Sequence, residues 1–359
     1  MAANNADHAR IRRSLNPAFS EQAVRSQEDI INSYITLLIS KLHKRAESKT
    51  PVDIMRWLNY TTFDITGDLT FDESFGALEA EDYNSWIANL FSLLRVASIL
   101  RVVRDYPLLG VPLTKLLETI PALRKAKHAH DEYTQEKTAR RLDKKTKRKD
   151  FISYILQHNS SNGMTTDEIK QTSGTLIIGG SETSATLLSG ALFYLVKNPR
   201  WMTKLHQELR NTFTHESQLT FTSLRNLPIL NAIINETFRM YPPYAAYRSS
   251  RNFKNADTYA PQRFLGDAQY ADDKRSVIQP FSVGPRNCIA QNLAWAEIRS
   301  VLVRLVWHFE FEFENGEDGE GEGREDWVQR QKVFILWRKP ALMVRLRARN
   351  VVGEVETEG

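Results

Sequence analysis

The chain has 359 residues, with 48 lysines and arginines against 43 aspartates and glutamates, a net charge of +5, 42% hydrophobic and 25% charged residues, and one cysteine. This length can bury a sizeable core, and a lone cysteine excludes a disulfide framework and points to a reducing compartment. No run of about 18 consecutive apolar residues occurs and Met1-Ala2-Ala3-Asn4-Asn5 forms no apolar signal core, so neither a transmembrane helix nor a leader is expected in this chain.

In chain order, a basic stretch Asp7-His8-Ala9-Arg10-Ile11-Arg12-Arg13 is followed by an amphipathic helix over residues 29–47 and a second helical segment over 51–69. Helices are expected over 83–103 and 120–142, the latter running into the basic cluster 140–149. That cluster has no interleaved stacking aromatics and no recognisable binding module, which argues against nucleic acid and for a solvated helix end; contact with an anionic membrane surface is a lesser alternative. Residues 166–198 are apolar at helical spacing, and Asn198-Pro199-Arg200 opens a further helix to 213, where proline suits the missing donor of a first turn. A helix beginning near Leu227-Pro228 is stopped by Pro242-Pro243. After Cys288 an apolar helix is expected to about residue 309, then an acidic glycine-rich loop over 314–326 and strands over 333–337 and 341–347 joined by Arg338-Lys339-Pro340. The expected architecture is therefore mainly α with a small β part, one domain over residues 1–350 and a tail over 351–359, without internal repeats or an inter-domain linker.

The stretch Phe281-Ser282-Val283-Gly284-Pro285-Arg286-Asn287-Cys288-Ile289-Ala290 carries the most chemistry. A cysteine just ahead of a helix sits where the positive helix end favours a thiolate, and it reads as a ligand for iron. Gly284 permits a tight turn beneath a flat cofactor, Pro285 stiffens it, Arg286 can pair with a carboxylate at the cofactor rim, and Phe281 can shield the sulfur from water. Taken alone, Cys288 fits a small buried hydrophobe better, which is what most free cysteines are.

The stretch resembles the heme-binding loop of the cytochrome P-450 monooxygenases, Phe-x-x-Gly-x-Arg-x-Cys-x-Gly, at every specified position except the last, where this chain has Ala290. Further motifs follow the family's order. Gly179-Gly180-Ser181-Glu182-Thr183 is similar to its oxygen-activation motif; two glycines inside a helix cost about 1 kcal/mol each relative to alanine, which a groove for dioxygen and a local widening of the helix would justify. The resemblance implies that Thr183 holds the hydrogen bonds that deliver protons and that Glu182 relays them from water. Glu236-Thr237-Phe238-Arg239 puts both charges on one helix face, and with Arg263 of Pro261-Gln262-Arg263-Phe264 it resembles the family's buried Glu-Arg-Arg network. His8 and Arg12 match its propionate-binding helix. Trp57, Phe63-Asp64 and Gly67-Asp68-Leu69 are similar to fungal members.

The resemblance implies a single heme domain that inserts one oxygen atom from dioxygen into a small apolar organic substrate, in fungal secondary-metabolite biosynthesis. It implies heme b with Cys288 as axial thiolate and electrons from NADPH through a flavoprotein reductase. Relatives sit on the cytosolic face of the endoplasmic reticulum membrane; for this chain, without an anchor, a cytoplasmic or peripheral location is expected. Pro243 runs straight into Tyr244-Ala245-Ala246-Tyr247-Arg248, where the family inserts several strands, so the β-rich subdomain is expected to be incomplete, as is the N-terminal anchor region. Two alternatives stay open: a truncated, non-catalytic relic with weak or no heme binding, and an anchor-less helical binding protein.

Overall fold

The computed structural model describes the chain from Ala3 to Arg349, except residues 85, 88–89, 91–105, 107, 109–111, 113–115, 117–118, 145, 147, 160–162, 244–246, 315–326 and 335–336. The helix expected over 83–103, the loop over 314–326 and the tail over 351–359 fall largely or wholly outside the described residues.

The organising element is α8 (Thr166–Lys197). It opens on a capping box in which the Thr165 hydroxyl accepts from the Glu168 N–H, while the Glu168 carboxylate accepts from the Thr165 N–H at 2.8 Å. That arrangement satisfies donors the first turn would otherwise leave unpaired. Among the described residues α8 alone is long and apolar enough to cross a membrane, yet 72% of its apolar window is buried inside the molecule. It is a core helix, packed against α4 (Ile54–Phe71), α6 (Pro121–Asp143), α10 (Pro228–Met240) and α11 (Gln291–His308). Around this centre lie α1 (Asn5–Leu15), α2 (Glu21–Ser26), α3 (Glu28–Glu47), α5 (Ala77–Ala80), α7 (Phe151–His158) and α9 (Pro199–Thr212). Proline stands in the first turn of α6, α9 and α10, where its fixed φ suits the helix and no donor is lost.

The β part departs from the sequence expectation. Residues 333–337 and 341–347 do not pair with each other. Instead β3 (Lys332–Val333) pairs with β4 (Trp337–Arg338), and β5 (Met343–Ala348) is the middle strand of an antiparallel sheet between β1 (Val52–Asp53) and β2 (Phe309–Phe313). The cause is the alternation in β5, whose Val344 and Leu346 face the core opposite Phe313 and Phe311. Phe309-Glu310-Phe311-Glu312-Phe313 has the same period of two, a signal the helical reading up to residue 309 passed over.

The basic cluster is also less solvated than expected. The Arg141 guanidinium is buried and grips Asp150 through Nε and Nη2, each at 2.8 Å, and Arg148 donates to Asp68 at 2.6 Å. A buried guanidinium needs such bidentate pairing.

Candidate active site around Cys288

The loop from Phe281 to Ala290 is closed by its own backbone, since the Cys288 N–H donates to the Phe281 carbonyl at 2.8 Å and Asn287 to Gly284 at 3.1 Å. Such a tight path requires left-handed backbone, φ of 83° at Gly284 and 60° at Ser282; glycine accommodates this without a Cβ penalty. α11 begins at Gln291 with no side-chain cap, leaving its positive end toward the cysteine. Cys288 is exposed and among the described residues is the only cysteine. Surrounding protein atoms push its thiol above the usual cysteine value, against the opposing pull of the Ala290 N–H and the Arg12 charge. The helix-end effect expected from sequence is thus outweighed by desolvation in the protein alone; only a metal on the sulfur would reverse the balance.

Facing the loop across an open cleft is one stripe of α8: Gly179, Gly180, Thr183, Ser184 and Leu187. These recur at helical spacing, so one face lines the cleft. The opposite wall carries Phe281, Cys288, Ala290, Leu293 and Ala294, and Pro243 closes an end. The two glycines have different jobs. A Cβ at Gly179 would meet nothing within 4 Å, whereas one at Gly180 would lie 2.9 Å from Cγ2 of Thr66 on α4. Gly180 therefore also serves close helix packing, while Gly179 is the one of the two whose Cβ space is free. The widening expected here is absent: α8 runs unbroken through both glycines, and the Thr183 hydroxyl donates back to the Gly179 carbonyl at 2.8 Å.

Glu182 is not on the cleft stripe. Its side chain is buried on the neighbouring face, paired with Lys339, whose Nζ also donates to Thr186 Oγ1 at 2.8 Å. The cleft carries a different acid, Glu297 of α11, which burial pushes up to about 8 against the opposing hydrogen bond of Ser184. Its Oε1 has no partner among the described residues. Sequence reasoning missed both Lys339 and Glu297. An acid inside the apolar run Ala294-Trp295-Ala296-Glu297-Ile298 was a readable signal for the second; no signal existed for the first.

Behind the loop, Glu236, Arg239 and Arg263 come together with no exposed side-chain surface. Arg239 donates to both Glu236 oxygens at 2.8 Å and to the Ala256 carbonyl at 2.6 Å, and Arg263 Nε reaches Glu236 at 3.4 Å. Arg263 is also paired with Asp273, a member the sequence reading did not include. Each charge is thus matched, as burial demands. The link to the loop is aromatic: Phe238, next to Arg239, packs edge-on against Phe281 at 5.4 Å and Trp295 at 5.6 Å.

At the rim, Arg12 donates to the Pro285 and Asn287 carbonyls at 3.2 and 2.7 Å and to Asn287 Oδ1 at 2.6 Å. Arg286 reaches the Ala3 carbonyl at 2.9 Å and Asn5 Oδ1 at 3.1 Å. Partial desolvation and the charges of Arg286 and Arg12 hold the His8 pKa below the usual histidine value, so the positive charge at the rim is carried by the two guanidiniums, with His8 beside them as an imidazole.

The donor set can be tested against heme. Among the described residues no three or more His, Cys, Asp or Glu side chains converge, so the cleft offers one sulfur. A single ligand suits a metal that brings its other ligands in a flat macrocycle, and does not suit a bare ion. The predominantly apolar walls, open Cβ space at Gly179 and cationic rim suit the apolar face and carboxylate edge of such a group. The residues fit heme.

Comparison with known proteins agrees. The protein-family model described as Cytochrome P450 matches residues 1–251 and 242–334. The chain is similar to Cytochrome P450 monooxygenase astJ of Aspergillus oryzae, 37% identical over 99% of this chain and 76% of that protein. It is also similar to averantin hydroxylase of Dothistroma septosporum, 35% identical over 98% of this chain and 71% of that one. In three dimensions it is similar to the crystal structure of cytochrome P450DA heme domain, with a TM-score of 0.77 at 15% identity over 97% of this chain and 78% of the other, a likeness of fold.

Proposed function

The chain belongs to the cytochrome P450 family and is a heme-thiolate monooxygenase; from that premise we propose that Cys288 is the axial ligand, that Thr183 with Glu182 manages protons, and that the substrate is a small apolar molecule of fungal secondary metabolism. One observation carries this reading: Cys288 and Thr183 line the same cleft from opposite walls. When bound, the heme supplies dioxygen activation, one oxygen atom entering the substrate and the other leaving as water, and electron donation from a thiolate favours O–O cleavage.

The protein's own residues orient and protect. Cys288, held by the Phe281 carbonyl, presents its sulfur, while Phe238 packs against both Phe281 and Trp295 and steadies the start of the loop. Arg12 and Arg286 offer positive charge, and His8 a hydrogen bond, to the carboxylate rim. Thr183 holds a proton at Oγ1 beside the cleft, and Glu182, one position earlier on the adjacent face, relays protons from water. Glu236, Arg239 and Arg263 brace the loop through Phe238 without meeting substrate. Electrons come from NADPH through a flavoprotein reductase that docks on the Cys288 side, at the cytosolic face of the endoplasmic reticulum membrane.

The interior break expected at Pro243–Tyr244 has two supports. The two family matches overlap at residues 242–251, and the alignment with the astJ relative spans 389 residues, more than this chain contains. On this reading the β-rich side of the cleft is incomplete.

The test is the reduced, carbon monoxide-bound absorption spectrum of the purified chain. A red-shifted Soret band is expected from a thiolate opposite carbon monoxide; heme uptake without that band would defeat the assignment of Cys288.

A further inference from the structure

Away from the Cys288 cleft, the C-terminal end of α9 and the edge of the β2–β5 sheet flank an open pocket that shares no lining residue with that cleft. His206 and Arg210 reach it from α9, four positions apart and so on one helix face. Glu310 reaches it from β2, Arg347 from the end of β5, and Arg349 from just beyond that strand.

Three guanidiniums here meet a single carboxylate. Arg349 donates to Glu310 Oε1 at 3.0 Å and Arg347 is paired with Glu310 Oε2, so both oxygens of that acid are taken. Arg210 has no carboxylate partner among the described residues. Its Nε donates to His206 Nε2 at 3.3 Å and its Nη2 to the Trp307 carbonyl at 3.2 Å, while its Cζ lies 3.7 Å from the centre of the Trp307 ring. An arginine in the last turn of a helix complements the negative helix end, which accounts for Arg210 but not for the convergence of Arg347 and Arg349 on the same pocket.

A guanidinium does not lose its proton in a protein, so the surplus charge persists. Burial, with the charges of Arg210 and Arg347, holds Arg349 below the ordinary arginine range against the pull of Glu310. Burial and the charges of Arg349 and Arg210 likewise hold His206 below the usual histidine value. His206 is therefore an imidazole that accepts at Nε2 and carries its proton on Nδ1. Two positive charges are left unanswered in the pocket.

We propose that this pocket binds a phosphate dianion, free or as the monoester of a small molecule or lipid, between Arg210 on the helix and Arg347 and Arg349 on the sheet. The charge matches, because two unanswered cations meet a dianion. The donors match as well: a guanidinium presents a planar fork that fits phosphate oxygens in pairs, and contact with the Trp307 ring steadies that of Arg210. Bound there, the anion ties α9 to the sheet edge.

The test uses heme-loaded protein at mildly alkaline pH, where phosphate is a dianion. Calorimetric titration with sodium phosphate, at ionic strength matched with sodium chloride, is expected to show saturable binding to one site. Arg210→Met keeps an apolar chain beside Trp307 and is expected to weaken binding roughly tenfold to a hundredfold, the usual loss for hydrogen bonds to a charged group. Arg200→Gln removes the same charge from the exposed start of α9 and is expected to leave binding unchanged. Should Arg210→Met fail to fold, Arg347→Met takes its place, because that side chain is 75% exposed, and it is expected to weaken binding too. Glu310→Gln leaves three guanidiniums with no carboxylate, so its thermal midpoint is expected to fall in chloride and recover in phosphate. Phosphatidylcholine vesicles with and without phosphatidic acid separate the sources. Binding of phosphate in solution assigns a free anion or small monoester; binding only to the phosphatidic acid vesicles, lost in Arg210→Met or its substitute, assigns the same dianion on a lipid. No saturable binding in either arm, parent affinity in Arg210→Met, an equal loss in Arg200→Gln, or the same midpoint deficit of Glu310→Gln in both salts overturns the proposal.

Discussion

Arg12 of the first helix donates to the carbonyl of Asn287 at 2.7 Å, so the residue immediately before Cys288 is held by a side chain 275 positions earlier in the chain. With the additional contacts to Pro285 and Asn287 Oδ1, this guanidinium fixes the loop's path from outside while the Phe281 carbonyl fixes it from within. The sulfur position is therefore set by two independent elements.

Cys288→Ser should abolish the red-shifted Soret band in the reduced carbon monoxide spectrum while leaving far-ultraviolet circular dichroism unchanged. The loop is closed by backbone and Arg12 contacts, none of which uses the sulfur. An unaltered band would remove Cys288 as the ligand.

Thr183→Ala should keep heme and substrate binding, since among the described residues its hydroxyl hydrogen-bonds only to the Gly179 carbonyl of its own helix. Loss of a positioned proton donor costs roughly 10²-fold or more in the step it serves. Reducing equivalents should go to peroxide, measured as the ratio of NADPH consumed to product formed; an unchanged ratio would count against Thr183.

Arg239→Ala leaves Glu236 buried beside Arg263 and frees the Ala256 and Thr258 carbonyls. Breaking a buried pair costs about 3–5 kcal/mol. Heme-free or aggregated protein is expected on size exclusion with Soret detection; a stable, fully loaded variant would show that the network does not support the loop.

Glu297→Gln should change how stability depends on pH. Burial raises the folded-state value of Glu297 to about 8, so between the ordinary glutamate range and pH 8 the folded state binds the extra proton. Stability from this group is complete below the unfolded value and is lost as pH rises toward 8, a swing of roughly 3–5 kcal/mol. Thermal midpoints of the parent should fall from pH 5 to pH 8 more steeply than those of Glu297→Gln; parallel curves would mean that the carboxyl is not buried as described.

Inserting the strands of a close relative between Pro243 and Tyr244 should raise coupled product formation. Pro243 lines one end of the cleft, and activated oxygen must be kept from bulk water. Tight coupling in the unmodified chain would show that the remaining helices close the cleft unaided.

Much of this protein was legible in its sequence because the signals are local. The Phe281 to Ala290 spacing and the Glu236–Arg239 helix face are each set by neighbours in the chain. The helices over 29–47 and 120–142 agree with the observed Glu28–Glu47 and Pro121–Asp143 because apolar periodicity and a first-turn proline mark them.

What only the tertiary structure decided depends on distant partners. Asp273 as a ligand of Arg263, Arg12 as the clamp on Asn287, and β5 as the middle strand between β1 and β2 join segments that no spacing rule connects. The same holds for Glu182, whose sequence context fixes its place beside Thr183 but not the direction of its carboxylate. Burial forbids a lone charge, and the cation that answers it, Lys339, lies 157 positions away.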